Sequence, residues 1–309
     1  MAPIQTPSMA AAAPRRITIP RLSARAALRV LAVVLVFWIA ASFVAERVTL
    51  HPPRRDLGPN PLQSGMPFSD VDFKTVDGLT LRGWWIPGTQ HATIVMVHGL
   101  SNNRQEPLHK AGYLHQAGYN LLVFDLRGHG QSDGAGTTMG YREPEDVQAA
   151  VAEARMLDSG PIALFGYSLG ASIAIEEGAV NPNVKAVVED SGFSSVGDVF
   201  LARFTEVTRL PDLPWAAPLV AFGDLDLGTS LWSISPIKLA ARLHKPLLAI
   251  VGGADTIVPP AEGLAIFNAV PGPKQLLEVP TAGHVQAYDT ANQVYERTVL
   301  SFLSANLRT

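Results

Sequence analysis

Hydrophobic and polar positions change period along the chain, and each change marks an element. Residues 30–45 (VLAVVLVFWIAASFVA) are uncharged and almost wholly apolar. Residues 71–76 alternate apolar and polar, Asp77-Gly78 supplies a turn, and residues 79–86 return, which predicts a β-hairpin. From Thr93 onward, short continuous apolar runs are separated by segments of helical period. Strands are expected over Thr93–Val97, 120–125, 161–165, 184–189, 246–251 and 275–279. Helices are expected near 104–117 and over Glu143–Leu157, 168–177, Pro260–Ala269 and 294–307. Strands without polar alternation are covered on both faces. The pattern therefore predicts an α/β fold, a mostly parallel central sheet between two helical layers.

One stretch breaks this rhythm. Residues 194–245 separate two consecutive strands and include Pro211, Trp215, Pro218, Phe222, Trp232 and Pro236. A structureless loop of that length is uncommon in a compact domain, so a small helical cap over the C-terminal edge of the sheet is expected. The competing reading is a peripheral packing excursion. Asp224 and Asp226 fall on its expected surface.

The N-terminal region has its own organisation. Residues 1–25 are rich in Ala, Pro and Arg, contain no acid, and fit a disordered tail. The apolar run, extended back to residue 26, predicts a single transmembrane signal anchor over 26–45. A cleaved signal peptide is the alternative, since Ala40, Ala41 and Ser42 are small enough for cleavage and would release a secreted protein. A buried or peripheral amphipathic helix fits less well, because the run has no polar face. Arg15, Arg16, Arg21, Arg25 and Arg29 precede the run, against Arg47, Arg54 and Arg55 after it. That bias places the N-terminus in the cytoplasm and the large domain across the membrane. Residues 46–67, with Pro52, Pro53, Pro59, Pro61 and Pro67, read as a stiff linker, and the folded domain is expected over 68–309.

Composition narrows the chemistry. A 309-residue chain that is 47% hydrophobic and 17% charged can bury a large core. A net charge of −3 offers no electrostatic reason to propose nucleic acid as a partner. The absence of cysteine removes disulfides, thiolate metal sites and a cysteine nucleophile.

The candidate chemistry centres on Gly166-Tyr167-Ser168-Leu169-Gly170, entered from an apolar strand and left through small helix-forming residues. Such a turn holds a serine in a strained bend with its hydroxyl out of the sheet, the nucleophile-elbow pattern. Serine then needs a general base. Among eight histidines, His51, His91, His109 and His115 fall in positions expected to be solvated, and His244 precedes a strand. His98 and His129 lie in turns after strands but precede the serine. His284 follows the last strand, at the edge where open α/β sheets place their sites, and is the preferred base. The acid is Asp255, after the preceding strand, with Asp190 as the alternative. The order Ser168, Asp255, His284 is that of an elbow hydrolase. The oxyanion donors are assigned to the N–H groups of Leu169, after the serine, and Leu100, in the loop after Thr93–Val97.

These blocks, with Val97-His98-Gly99, Phe124-Asp125-Leu126-Arg127-Gly128-His129-Gly130-Gln131-Ser132, Gly253-x-Asp255-x-x-Val258-Pro259 and Gly283-His284, resemble the α/β-hydrolase superfamily over about residues 68–307. The resemblance is to its membrane-anchored or secreted serine hydrolases with a short cap. It implies hydrolysis of a small-molecule acyl substrate by a Ser-His-Asp triad, with no cofactor and no metal. It also implies that Asp125 and Arg127 are scaffold. Carboxylic esters, including lipid esters, are the first expectation. A peptidase, amidase or acyltransferase would use the same constellation, and a silent membrane-tethered binding module is the reading from another class.

Overall fold

Continuous apolar strands need cover on both faces, and here they have it. The computed structural model describes residues 23–308. Eight strands form one sheet: β1 (Ser69–Lys74), β2 (Thr80–Ile86), β3 (Thr93–Val97), β4 (Asn120–Phe124), β5 (Ile162–Tyr167), β6 (Val184–Asp190), β7 (Leu247–Gly252) and β8 (Lys274–Val279). Their spatial order is β1-β2-β4-β3-β5-β6-β7-β8. β2 runs antiparallel to β1 and β4, and the remaining neighbours are parallel. The expected hairpin is β1–β2, with Lys74 opposite Thr80.

The period of two sorts side chains between two cores. Ile94 and Met96 of β3 join Leu121 and Val123 of β4 on one face, while Val95 and Val97 join Leu122 and Phe124 on the other. The first face is covered by α2 (Gln105–His109), α3 (Gly112–Gln116), α10 (Ala287–Thr290) and α11 (Asn292–Asn306). The second is covered by α4 (Glu143–Leu157), α5 (Leu169–Val180), α8 (Pro236–Ala240) and α9 (Pro260–Ala269).

The structure gives three of these expectations in more detail. The helix expected near 104–117 is two short helices. Between them the Lys110 and Ala111 N–H groups donate to Pro107 and Leu108, three residues back, which tightens the chain and ends α2. The predicted cap, 194–245, resolves into α6 (Val196–Thr208), α7 (Ala217–Leu227), a 3₁₀ turn at Leu231–Ser233 and α8. α8 packs against α5 and α9, so it belongs to the main helical layer. The residues expected to form a stiff linker lie along the domain. Met66 enters the first core, Arg54 donates to the carbonyls of Gly130 and Gly134 at 3.1 and 2.7 Å, and the Gly58 N–H meets Gln105 Oε1 at 2.6 Å.

The chain divides into two units between Ala41 and Ser42. A helix, α1 (Ala24–Leu50), runs through that point, beyond the predicted 26–45. By length and composition it is apolar enough to cross a membrane. Of the predicted tail, residues 1–22 lie outside the described residues.

Candidate active site

The bend between β5 and α5 is made by the two glycines that flank Tyr167-Ser168-Leu169. A Cβ on Gly166 would lie 2.1 Å from the Gly170 carbonyl oxygen, and one on Gly170 would lie 2.3 Å from that of Val97. Only a hydrogen fits at either position. Ser168 itself is held at φ 53°, ψ −118°, a conformation rare for any residue but glycine. Its N–H donates to the Asp190 carbonyl at 2.9 Å, which ties the strained residue to β6.

β7 and β8 deliver the other two candidates to the same edge. Ser168 Oγ lies 2.8 Å from His284 Nε2, and His284 Nδ1 lies 2.7 Å from Asp255 Oδ2. A carboxylate can only accept, so Nδ1 carries the hydrogen and Nε2 is left to accept from the serine hydroxyl. Asp255 is fixed through its other oxygen, which accepts the N–H groups of Ile257 and Val258 at 2.8 and 2.9 Å. The arrangement can draw the proton from Ser168 while the imidazolium that forms stays paired with a buried carboxylate.

Asp190, the alternative acid, is occupied elsewhere. It is fully buried, accepting from Ser191 Oγ at 3.0 Å and from the Tyr295 hydroxyl at 2.8 Å. His98 and His129 are not bases but braces. His98 Nδ1 donates to the Gly99 carbonyl at 2.7 Å, and its Nε2 accepts the Leu126 N–H at 3.0 Å. His129 Nδ1 donates to the Arg127 carbonyl at 2.9 Å, and its Nε2 accepts the Ser101 N–H at 3.2 Å. Burial drives the His98 pKa down to about 3 and lowers that of His129, so both rings remain neutral. Together they fix the loop that carries Leu100. Among the described residues, the N–H groups of Leu100 and Leu169 donate to no protein acceptor. A developing oxyanion needs donors of this kind.

The Asp125–Ser132 loop is framework. Arg127 is buried, pairs with Asp146 through two nitrogens at 2.9 and 2.7 Å, and also reaches Asp77. Asp125 accepts the N–H groups of Arg104 and Gln131 at 2.8 and 2.9 Å. Of the histidines expected to be solvated, His91 and His109 are exposed, whereas His51 is half-buried against Asp226.

Three supporting residues carry no local sequence signal. Glu106 Oε2 accepts the Gly99 N–H at 2.6 Å, beside the serine, and burial raises its pKa. Ser191, itself at φ 63°, accepts the Val285 N–H at 3.1 Å. Lys110 Nζ donates to the Val285 carbonyl at 2.8 Å. The last two hold the N–H and the carbonyl of the residue after His284.

The family model described as serine aminopeptidase, S33, matches residues 88–210. The uncharacterised protein YfhR of Escherichia coli O157:H7 is 27% identical over 276 residues, 85% of this chain and 89% of that protein. An uncharacterised protein of Mycobacterium tuberculosis H37Rv is 30% identical over 220 residues, 70% of this chain and 72% of that one. Among solved structures, an esterase of Pyrococcus furiosus superposes with a TM-score of 0.72 at 25% identity, covering 84% of this chain and 99% of the esterase. A shared overall fold, a serine on the tight turn after β5 and sequence kinship across the domain have one explanation: the chain belongs to the α/β-hydrolase superfamily, among its serine hydrolases.

Proposed function

We propose that this hydrolase cleaves carboxylic esters through an acyl-enzyme on Ser168. The observation that carries the reading is the unbroken hydrogen-bond chain from Ser168 Oγ through His284 to Asp255. Ser168 Oγ attacks the acyl carbonyl as His284 Nε2 takes its proton, and the Leu100 and Leu169 N–H groups receive the oxyanion. Each donor contributes on the order of 3 kcal/mol to transition-state binding. His284 then returns the proton to the leaving alcohol. Water repeats the sequence on the acyl-enzyme and releases the acid.

The inserted helices favour apolar acyl groups, such as lysophospholipid or monoacylglycerol esters. Val207, Leu210, Leu213, Trp215 and Leu225 leave large apolar surfaces exposed there. Residues 26–45 supply a single-pass anchor, with the N-terminus in the cytoplasm and the domain outside it. The name of the Pyrococcus relative supports an ester substrate, whereas the family model's description favours a peptide bond. A matched pair of p-nitrophenyl ester and p-nitroanilide substrates separates the two, and faster ester turnover is expected. A fluorophosphonate probe should label the wild type and not Ser168→Ala. Labelling that persists in the variant would remove Ser168 from the reaction.

A further inference from the structure

The last two turns of α1 and the helix α7 of the insert meet residue for residue. Phe43 and Arg47, four apart on α1, face Phe222 and Asp226, four apart on α7. The two rings are T-shaped at 5.3 Å, and Arg47 Nη1 lies 3.2 Å from Asp226 Oδ1. Beside this ladder Ser42, Glu46 and Leu50 form the buried stripe of α1. His51, one residue past the helix, brings Nε2 to 2.7 Å from Asp226 Oδ2. One ligand-type atom each from Glu46, His51 and Asp226 falls within 4.8 Å of the other two.

Two observations separate this cluster from an ordinary group of surface charges. The first is Glu46. It is 1% exposed, and its Oε1 has no hydrogen-bond partner. A buried carboxyl oxygen without water or donor is costly, and a positive centre that reaches it removes the cost. The second is the His51 ring. Its Nδ1 faces the Ala135 carbonyl at 3.1 Å, and a carbonyl only accepts, so Nδ1 carries a hydrogen. A neutral ring then points the Nε2 lone pair at the Asp226 carboxylate, which is repulsive unless a cation lies between them. A doubly protonated ring together with a proton shared between Glu46 and Asp226 would settle those contacts and still leave Glu46 Oε1 without a donor. One cation shared by all three groups satisfies both. The loop behind the ring is built to hold it. A Cβ on Gly136 would sit 2.6 Å from His51 Nδ1, so glycine lets the backbone close on the imidazole. A metal-bound histidine commonly donates its second nitrogen to a backbone carbonyl in this way.

We propose that Glu46, His51 and Asp226 bind a divalent transition-metal cation of the zinc type. One imidazole nitrogen with two carboxylates suits zinc, whereas calcium and magnesium favour oxygen-only shells. Bonds of about 2.0–2.2 Å put tetrahedral ligand atoms roughly 3.3–3.6 Å apart, so the Nε2–Oδ2 pair, now at 2.7 Å, opens by roughly 0.6–0.9 Å on binding. Arg47, whose side chain is 43% exposed, swings toward solvent and releases Asp226. The site lies far along the chain from Ser168, and its effect is to fasten α7 of the insert to the end of α1.

Purified full-length protein in detergent, stripped with a chelator and dialysed against zinc chloride, tests the assignment by metal counting. One zinc per chain is expected, bound at least tenfold more weakly by Glu46→Gln and by Asp226→Asn. His91→Ala and His284→Ala should bind as the wild type does, and a tenfold excess of magnesium should not compete. Zinc should also raise the thermal midpoint of the wild type and leave that of the Glu46→Gln, Asp226→Asn double variant unmoved. This comparison is made within each protein, so it holds even where a substitution lowers stability. No zinc retained by the wild type would overturn the proposal. So would zinc retained undiminished by the double variant, zinc lost in His284→Ala, or displacement by magnesium.

Discussion

His284 Nδ1 stands 2.7 Å from Asp255 Oδ2, and this contact decides which ring nitrogen faces Ser168. The carboxylate holds the hydrogen on Nδ1, leaving Nε2 free to accept. Asp255→Asn keeps the shape and removes that preference, because an amide can donate to Nδ1 and move the hydrogen to Nε2. The turnover number on a p-nitrophenyl ester should fall by about four orders of magnitude while the fold is retained. A loss below about tenfold would mean that Asp255 does not set the tautomer.

Glu106 serves the site from one step back. Its Oε2 accepts the Gly99 N–H at 2.6 Å, in the loop that presents the Leu100 N–H. Glu106→Ala leaves that N–H unpaired and lets the loop drift. The turnover number should fall about 10- to 100-fold with little change in KM, the expected result of moving a donor by a fraction of an ångström to about 1 Å. Glu106→Gln, whose amide oxygen can still accept, should recover most of the loss. Failure of glutamine to rescue would point to the charge of Glu106 instead of its hydrogen bond.

Much of this architecture is legible in the order of residues, and the reason is local. β3, β5 and β7 are buried on both faces, so each appears as an unbroken apolar run. Ser168 and Asp255 stand out because each follows such a run, His284 follows the edge strand β8, and the fold brings the three into one hydrogen-bonded chain. The supports of the site are not local. Lys110 reaches Val285 across 175 positions and Ser191 reaches it across 94, with no periodicity or motif to announce either contact. His98 and His129 show the same limit. Their positions qualified them to face the site, and only the partners of both ring nitrogens reveal them as neutral braces. Prolines at 52, 53, 59 and 61 suggested a spacer, yet a stiff extended segment serves equally well as a strap once Arg54 and Met66 find partners on the domain.

Gly170 makes the elbow possible through close backbone approach, and substitution there should act on stability before chemistry. An added methyl would lie 2.3 Å from the Val97 oxygen and 2.5 Å from that of His98, both backbone atoms that cannot turn aside. Gly170→Ala should destabilise the protein by about 3 kcal/mol or more in urea unfolding. Gly112, which opens α3, is the contrasting case, since nothing lies within 4 Å of its added methyl. Gly112→Ala should stabilise by up to about 1 kcal/mol through the unfolded chain. Equal effects at the two positions would show that helix propensity, not backbone approach, governs Gly170.

Glu189 gives the stability of the protein a sign on the pH axis. It lies one residue before the end of β6, fully buried, with one oxygen accepting the Gly192 N–H at 2.9 Å and the other, Oε1, unpartnered. Burial raises its pKa from 4.5 to about 8, with the neighbouring Asp190 charge adding to the rise. Between those values the folded protein keeps a proton that the unfolded chain has released. This group's contribution is therefore complete below pH 4.5 and is lost as pH rises toward 8, by about 1.4 kcal/mol per unit. Glu189→Gln removes the titration. Glu176, also raised to about 8, titrates in both proteins and cancels from their difference. The unfolding free energy of Glu189→Gln minus that of the wild type should climb steadily from pH about 5 to about 8 and then level off. Parallel pH profiles for the two proteins would show that Glu189 is ionised in the fold at neutral pH, and that Oε1 has found a donor.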